Sequence, residues 1–230
     1  MREEYTRENY PSFGKKYAGE KAIISLTSWK ARIDTVSKTL YSLIKQCPGF
    51  HIVLVLSEEE FPKMMDEMPA NLNLFVKNNL IEVLWVYKNY KSFKKWIFTA
   101  DKYRDVPIIS ADDDCIYICN YAQELYDKWL ENKNINGIRY EFGKLPQMQG
   151  PTSLYYLKEN VKKIISQICK NDIEKSEDDK ILYQYMKNNE CNFSFVHKKT
   201  KKPYIFHDTI SPLHSDDSYK KILSFKSCFR

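Results

Sequence analysis

Three consecutive aspartates, Asp112, Asp113 and Asp114, stand directly after the apolar segment VPIISA at residues 106–111. Carboxylates crowded into a partly buried position raise one another's pKa and destabilise a fold unless a cation joins them. In an extended chain alternate side chains share a side, so we expect Asp112 and Asp114 to converge while Asp113 points away. Two hard oxygen ligands suit Mg²⁺ or Mn²⁺, which completes its coordination with water and substrate phosphates. The triplet therefore predicts a divalent-metal site, and a solvated acidic turn is the alternative.

The sequence around the triplet alternates apolar runs with helical periods. Runs rich in β-branched residues are typical of buried strands, and they lie at residues 22–26, 51–57, 81–87 and 107–110. Helical periodicity covers residues 33–44, the polar stretch that ends at 78, and 92–103. Strands that alternate with helices predict an α/β fold with a mostly parallel central sheet flanked by helices. In such sheets ligands bind beyond the carboxyl ends of the strands, so the triplet belongs to the ligand-binding edge.

The second half of the chain is less regular, although it still mixes helices with short strands. Helices are predicted near 119–132, 158–170 and 177–188, and strands at 192–196 and 203–206. The sequence contains neither an internal repeat nor a low-complexity tract. We therefore expect residues 1–230 to form a single domain.

Only six glycines occur among the 230 residues, which limits the ways in which the protein can hold a phosphate group. Neither G-x-x-x-x-G-K-[ST] nor G-x-G-x-x-G is present, which argues against a P-loop NTPase and a Rossmann dehydrogenase. A phosphate would then be bound by a metal ion or by basic side chains. The net charge of +6 suits an anionic ligand, a nucleic acid or an anionic membrane surface without choosing among them.

Cysteine spacing and the amino-terminal composition bear on the cellular compartment. The six cysteines form no C-x-x-C pair, so neither a zinc ribbon nor a thioredoxin-like site is expected. The amino terminus, MREEYTRENYPSFGKK, is charged and lacks the apolar core of a signal peptide. No apolar run reaches the ~18 residues of a transmembrane helix. We therefore expect a cytoplasmic protein with reduced thiols, either soluble or loosely attached to a membrane.

Four segments around the predicted strands resemble bacterial GT-A glycosyltransferases that synthesise surface polysaccharides such as capsule and lipopolysaccharide. They are ISLTSWKARI (24–33), VLVLSEEEFP (53–62), LIEVLWVYKNYKSFKK (80–95) and IISADDDCIY (108–117). The resemblance covers about residues 20–120, which would be the nucleotide-sugar-binding half, and leaves about 121–230 as the acceptor-binding half. It implies a GT-A fold and a transferase that uses Mn²⁺ or Mg²⁺ and a nucleotide-sugar, with a UDP-sugar as the default donor.

The resemblance also implies roles for residues at the other strand ends. Thr27, Ser28 and Arg32 would contact the nucleoside or its phosphates. Arg32 would do so at the start of a helix, where backbone amides already favour anions. Lys94 or Lys95 would lie near the ribose or the diphosphate. Surface side chains without such contacts are the alternative for Arg32 and for both lysines.

The acidic triplet and two late histidines are the candidate metal ligands. In the resembling family the D-x-D motif binds the metal and the donor diphosphate, so Asp114 would ligate the metal, and Asp112 would face the ribose and complete the pair. Asp113 would belong to the nucleotide-binding residues. Many metal-dependent GT-A enzymes add a histidine near the carboxyl end, which makes His207 and His214 candidates, and imidazole suits Mn²⁺ better than Mg²⁺. An ordinary hydrogen-bonded histidine is the alternative for each.

Sugar transfer with inversion needs a carboxylate that takes the proton of the attacking hydroxyl group. Inverting GT-A enzymes usually have this residue at the start of a helix in the second half, and SEDDKILYQYM (176–186) fits. Ser176 and Asp179 form a capping-box pattern there. We predict Asp179 as the base, followed by Asp178 and then Glu177. Acidic residues in a first helical turn also favour the helix dipole without any catalytic role, which is the alternative.

Two further segments concern the acceptor. QMQGPTSLYY (147–156) resembles the family's acceptor-side strand and loop, with Gly150 allowing close approach. At the carboxyl end, DDSYKKILSFKSCFR (216–230) combines basic and bulky apolar residues that suit a helix lying on an anionic inner-membrane surface. Such a helix would fit a glycan acceptor that is linked to a lipid, and packing onto the domain is the alternative.

Other functions use parts of the same pattern. A metal-dependent nuclease or phosphoryl transferase could use the triplet, but two-metal sites need acidic residues from several strands, and the other strand ends lack an isolated aspartate. A nucleic-acid-binding protein is suggested by KKTKKP (198–203). This short run lies between two apolar strands and fits a solvated turn better, so we expect no nucleic-acid partner. A GT-A fold that serves as a scaffold without catalysis is a further alternative.

Overall fold

The computed structural model describes residues 10–141, 150–158, 160–175, 177–197 and 202–207. Its strands are β1 (Ser12–Gly14), β2 (Ile23–Thr27), β3 (His51–Ser57), β4 (Glu82–Val86), β5 (Ile108–Ser110), β6 (Cys115–Tyr117), β7 (Gly137–Glu141), β8 (Ser153–Tyr155), β9 (Phe193–His197) and β10 (Tyr204–Phe206). Its helices are α1 (Val36–Gln46), α2 (Ala70–Lys77), α3 (Lys94–Lys102), α4 (Tyr121–Glu131), α5 (Asn160–Ile165), α6 (Lys170–Lys175) and α7 (Asp178–Asn188).

Within the described residues, eight strands form one central sheet in the order β1-β4-β3-β2-β5-β8-β7-β9. Strands β4, β3, β2 and β5 run parallel, and Ile24 of β2 lies opposite Ile52 on one side and Ile109 on the other. Strand β8 is antiparallel to both β5 and β7, so β7 and its parallel partner β9 point the same way as the first four. The predicted α/β fold with a mostly parallel sheet is therefore confirmed.

The parallel strands β2, β3 and β4 are mostly apolar and almost wholly buried, because helices cover both faces of the sheet. On one face, Ile24 and Leu54 pack with residues of α1, α2 and α4. On the other face, Ile23 and Val55 pack with residues of α3, α5 and α7. Successive side chains of a strand point to opposite faces, so the HIVLVLS run of β3 is buried at every position. Packing on both faces fixes the strand ends and the side chains that follow them.

The carboxyl ends of the parallel strands and the amino end of β8 meet at one edge of the sheet. We call this the site edge. It contains Thr27 at the end of β2, Ser28 after it, the 111–114 loop after β5, and Thr152 before β8. A small antiparallel pair, β6 with β10, follows the 111–114 loop and places Phe206 opposite Cys115. Segments distant in the sequence are thereby brought to the acidic triplet.

Most predicted elements agree with the structure, and the exceptions have local causes. The predicted helix 158–170 is shorter, since α5 ends at Ile165. A further helix, α6, begins at Lys170, where the Asp172 carboxylate accepts the Cys169 N–H at 3.0 Å. Strand β1 precedes the first predicted strand and pairs with β4 at one margin of the sheet. The 216–230 segment lies outside the described residues. No helix among the residues that the structure describes is long and apolar enough to cross a bilayer.

Candidate active site

The acidic triplet occupies the loop between β5 and β6. Asp113 and Asp114 form a turn there, whereas the sequence-based expectation assumed an extended chain. The expectation that Asp113 points away is therefore wrong, whereas the charges of Asp112 and Asp114 do interact. Asp113 and Asp114 share a partner, Arg32, whereas Asp112 pairs with Lys95. A turn redirects successive side chains, so the alternation of a strand does not apply.

Arg32 and Ser28, from the segment that follows β2, bind the carboxylates of Asp113 and Asp114. Arg32 Nη1 lies 2.7 Å from Asp113 Oδ1 and 3.3 Å from Asp114 Oδ2. The Ser28 hydroxyl donates to Asp113 Oδ2 at 2.7 Å. The Thr39 hydroxyl, which the sequence analysis did not single out, donates to the Asp113 carbonyl at 2.8 Å. Two residues predicted at the donor site thus contact the triplet directly.

The carboxylates of Asp113 and Asp114 are buried, and their pKa values are raised. Burial raises the pKa of Asp113, and the Arg32 guanidinium opposes this rise without cancelling it. Burial and the neighbouring charge of Asp112 raise the pKa of Asp114 to about 6, again against the effect of Arg32. An added cation stabilises carboxylates in this state, because it offsets both the burial and the mutual repulsion.

Lys95, at the start of α3, connects the triplet to α7. Its Nζ lies 2.7 Å from Asp112 Oδ1 and 3.4 Å from Asp178 Oδ2, and its side chain is only 5% exposed. Burial alone would lower the pKa of Lys95, but these two carboxylates hold it well above its usual range. The predicted donor side and the predicted base segment are therefore joined through one ammonium group.

The neighbouring Lys94 and Thr27 are bonded away from the triplet. Lys94 Nζ donates to Asn89 Oδ1 at 2.8 Å and contacts the Glu60 carboxylate. Burial lowers the pKa of Lys94 in spite of the Glu60 charge. The Thr27 hydroxyl donates to a β3 carbonyl at 2.7 Å. Of the two lysines that the sequence analysis left open, Lys95 is the one in direct contact with the acidic triplet.

The first turn of α7 contains the predicted bases. Asp178 is only 6% exposed, and its carboxylate is the one that faces Lys95. Asp179 is half-buried, and burial followed by the charge of Asp178 raises its pKa. Glu177 is the N-cap residue, but its side chain makes no capping hydrogen bond. Ser176, the other member of the predicted capping box, lies outside the described residues.

His207 reaches the triplet because β10 pairs with β6. Its backbone N–H donates to the Asp114 carbonyl at 2.8 Å, and its Nε2 lies 2.9 Å from the Thr39 hydroxyl. The residue is buried, so the ring is held next to α1. The structure thus brings His207 to the acidic loop. The other candidate, His214, lies outside the described residues.

Tyr117 supports the triplet in a way that the sequence analysis missed. The Asp112 N–H donates to the Tyr117 hydroxyl at 3.0 Å, and this hydroxyl donates to the Pro151 carbonyl at 3.0 Å. It therefore links the acidic loop to the segment before β8, which belongs to the predicted acceptor side. A tyrosine in an apolar strand is usually interpreted as core, and no sequence signal distinguishes this one.

The carboxylates of the acidic triplet could ligate a hard divalent cation, but they do not supply a complete set of ligands. Among the described residues, no three histidine, cysteine, aspartate or glutamate side chains are arranged so that they could hold a metal ion. Magnesium and manganese commonly bind through one or two carboxylates and take their other ligands from water and substrate phosphates. Asp112 and Asp114, whose charges interact, can supply such a small set. The residues therefore fit an ion that binds together with a diphosphate.

The sequence matches no protein-family model, and no curated protein is significantly similar to it. Solved structures nevertheless resemble the fold. The glycosyltransferase GlyE from Streptococcus pneumoniae has a TM-score of 0.52 at 13% identity, over 77% of this chain and 46% of that chain. A cytidylyltransferase from Leptospira borgpetersenii also has a TM-score of 0.52, at 15% identity, over 79% of this chain and 76% of that chain.

A further similarity is weaker. The mannosyltransferase PcManGT from Pyrobaculum calidifontis, solved in complex with GDP-Man and Mn²⁺, has a TM-score of 0.47 at 10% identity, which is too low to show a shared fold. This chain spans about half the length of GlyE. At such identities the first two comparisons show the fold alone. The chain has the α/β fold of GT-A glycosyltransferases, which a nucleotidyltransferase shares.

Proposed function

We propose that the protein is a metal-dependent glycosyltransferase that moves a sugar from a nucleotide-sugar to a glycan acceptor. One observation carries this proposal: Arg32, the acidic triplet, Lys95 and the start of α7 form a connected set of charges at the carboxyl edge of a GT-A sheet. A leaving diphosphate needs nearby cations, and an attacking hydroxyl group needs a base. Cation-binding carboxylates and a second group of carboxylates are both present in this set.

On the donor side, Asp114 and Asp112 would hold Mn²⁺ or Mg²⁺ together with the diphosphate. Such an ion stabilises the negative charge that develops on the leaving phosphate oxygen. Ser28 and Arg32 would bind the nucleoside or its phosphates, and Thr27 would line the same edge. Direct contacts of Ser28 and Arg32 with the triplet support this assignment. His207 and His214 stay candidates for a further metal ligand.

On the acceptor side, Asp179 would take the proton of the attacking hydroxyl group. The acceptor oxygen forms a bond to the anomeric carbon while the bond from that carbon to the diphosphate oxygen breaks, which inverts the configuration. The proton moves to the carboxylate, and the nucleoside diphosphate leaves. The raised pKa of Asp179 and its partial exposure support this role over the more deeply buried Asp178.

Nucleotidyl transfer is a second candidate, because the similarity to a cytidylyltransferase covers more of the compared chain than the similarity to GlyE does. The two reactions release different products. Sugar transfer releases a nucleoside diphosphate, whereas nucleotidyl transfer from a triphosphate releases pyrophosphate. Measurement of the released product therefore distinguishes them.

The acceptor and the pathway rest on the sequence resemblance. A bacterial surface polysaccharide, such as capsule or lipopolysaccharide, fits that resemblance, with a free or lipid-linked glycan as the acceptor and a cytoplasmic location. Contact of the 216–230 segment with an inner-membrane surface stays a prediction. UDP is the first nucleotide to test, because the sequence resemblance implies a UDP-sugar as the default donor.

A thermal-shift screen tests the proposal. UDP, GDP, CDP and dTDP are each added with and without Mn²⁺, and hydrolysis of the matching nucleotide-sugars is followed by release of the nucleoside diphosphate. We expect one diphosphate to raise the melting temperature only when Mn²⁺ is present, and its sugar derivative to be hydrolysed slowly. Absence of any metal-dependent shift, or release of pyrophosphate from a nucleoside triphosphate and a sugar phosphate, would overturn the assignment.

A further inference from the structure

Lys95 is held more firmly than a lysine that binds substrate needs to be. Its side chain is 5% exposed, and its Nζ already contacts Asp112 and Asp178. The Ser25 hydroxyl of β2 donates to the Lys95 carbonyl and lies 2.8 Å from the Thr99 hydroxyl, which fixes this turn of α3 against the sheet. The ammonium group is therefore buried and already shared between two carboxylates.

The buried carboxylate of Asp178 has Lys95 as its neighbouring cation. It is 6% exposed, and its Oδ2 makes no hydrogen bond within the part of the chain that the structure describes. Lys95 Nζ, at 3.4 Å, is the cation that faces this oxygen. A buried carboxylate without a cation is strongly destabilising. Removal of Lys95 would therefore release the first turn of α7.

We propose that Lys95 is a positioning residue that ties Asp112 of the donor loop to Asp178 of α7, and that it does not contact the donor itself. The tie fixes the distance between the metal-binding loop and the helix that presents Asp179. This inference rests on the proposed function, since it assigns Asp179 as the base. It differs from the sequence-based expectation, in which Lys95 lies against the ribose or the diphosphate.

The variants separate positioning from direct contact. Lys95→Met removes the charge and keeps the length of the side chain, Lys95→Arg keeps the charge, and Asp178→Asn removes the other partner. The double variant Lys95→Met with Asp178→Asn removes both buried charges together. Lys102→Met is the matched control, because Lys102 lies at the other end of α3 and makes a buried ion pair with Glu82.

Two measurements are made on the full chain. Hydrogen exchange is followed in the first turn of α7 and in the 111–115 loop without ligand. Nucleotide-sugar hydrolysis is measured for UDP-glucose and GDP-mannose with Mn²⁺, so that kcat and the donor KM are obtained separately. The expected result for Lys95→Met is exchange in α7 that is faster by about tenfold or more, and a kcat lower by about tenfold with a donor KM within about threefold of wild type.

The other variants sharpen this expectation. Lys95→Arg should restore both kcat and exchange in part, the double variant should turn over no more slowly than the worse single variant, and Lys102→Met should leave exchange in α7 as in wild type. A donor KM raised about tenfold or more in Lys95→Met alone, with wild-type exchange in α7, would overturn the proposal in favour of direct contact. A much greater loss of kcat in Asp178→Asn than in Lys95→Met would also overturn it, because Asp178 would then be the base.

The two failures remain distinguishable. If wild type neither binds a nucleotide diphosphate with Mn²⁺ nor hydrolyses either donor, the proposed function fails. In that case the ligand-free exchange data still decide whether Lys95 holds the first turn of α7, and unchanged exchange in Lys95→Met overturns the link. If Lys95→Met does not fold, Asp178→Asn supplies the same comparison, since it breaks the same contact and leaves Lys95 with Asp112.

Discussion

The buried carboxylates near the two ends of α3 have pKa values that are shifted in opposite directions. At its carboxyl end Lys102 contacts Glu82, which also bonds to His51 Nε2 at 2.7 Å and accepts the Tyr103 hydroxyl. Burial would raise the pKa of Glu82, but these three partners outweigh it and lower the pKa to about 2. At the amino end of α3, Lys95 contacts Asp112, and the charge of Asp112 adds to burial in raising the pKa of Asp114 to about 6.

The difference lies in the balance of partners. One carboxylate, Glu82, has a full set of donors, so its charge stabilises the folded chain. Among the described residues at the site edge, the carboxylates outnumber Arg32 and Lys95, the two cations whose ion pairs with them are seen. Charge that is matched within the protein serves stability, whereas unmatched charge at a ligand-binding edge is typical of a functional site.

The largest expected effect concerns Asp114, at the unmatched end. Asp114→Asn should abolish the Mn²⁺-dependent rise in melting temperature that we expect a nucleoside diphosphate to give, because one of the two proposed metal-binding carboxylates is lost. The metal-free melting temperature should not fall, since the substitution removes a crowded negative charge. Both are measured by thermal shift, with Glu131→Gln on an exposed carboxylate as the control. A wild-type shift in Asp114→Asn would show that the metal binds elsewhere.

The next effect concerns catalysis. Asp179→Asn should lower turnover by about 10²–10⁴-fold with little change in donor affinity, as loss of a general base does. Steady-state kinetics and nucleotide binding by thermal shift check the two quantities separately. Unchanged turnover would exclude Asp179 and transfer the role to Asp178 or Glu177.

A substitution at Glu82, near the carboxyl end of α3, should change the stability of the fold and leave nucleotide binding unchanged. Glu82→Gln breaks a buried ion pair and should lower the free energy of unfolding by about 3 kcal/mol, while the Mn²⁺-dependent nucleotide shift persists. Denaturant unfolding gives the first quantity and thermal shift the second. Loss of nucleotide binding in Glu82→Gln would contradict the division of the molecule into a stabilising end and a functional end.

The smallest expected effect is a pH dependence at the same carboxylate. Glu82 has a folded pKa of about 2, below its unfolded value, so its stabilisation is present above the unfolded pKa and is lost as pH falls through the folded one. The chain should therefore lose about 2 kcal/mol from this group between roughly pH 5 and pH 3. Urea unfolding at both pH values, in wild type and Glu82→Gln, isolates this contribution. An equal loss in the variant would assign it to other groups.

The sequence predicts the first half of the fold well, because the strands there are long apolar runs that are buried on both faces. It misses β1, β6 and β7, because these short strands have partly exposed positions and lack the fully buried run of β3 and β4. It also does not predict α6 as a separate helix, whose start involves one local hydrogen bond, from the Cys169 N–H to Asp172.

The site was predictable to the extent that its residues follow strands. The triplet, Ser28 and Arg32 lie directly after β5 and β2, so the sheet edge locates them. The contact between Lys95 and Asp178 was not predictable, because it depends on how α7 packs beside α3. The turn at Asp113 and Asp114 also differed from the expected extended chain, because paired aspartates before a short strand have no periodic signal that indicates a turn.

The contact between Arg32 and Asp114 bears on how the proposed metal ion would bind and leave. Because the acidic loop already has an internal counter-ion, a divalent ion that ligates Asp114 has to compete with the guanidinium group. An ion that arrives with a diphosphate gives the displaced guanidinium a new anionic partner, so joint binding is favoured over binding of the ion alone. We therefore expect Mn²⁺ or Mg²⁺ to be exchanged with each nucleotide rather than retained, and the chain to fold without it, unlike domains that need a structural metal.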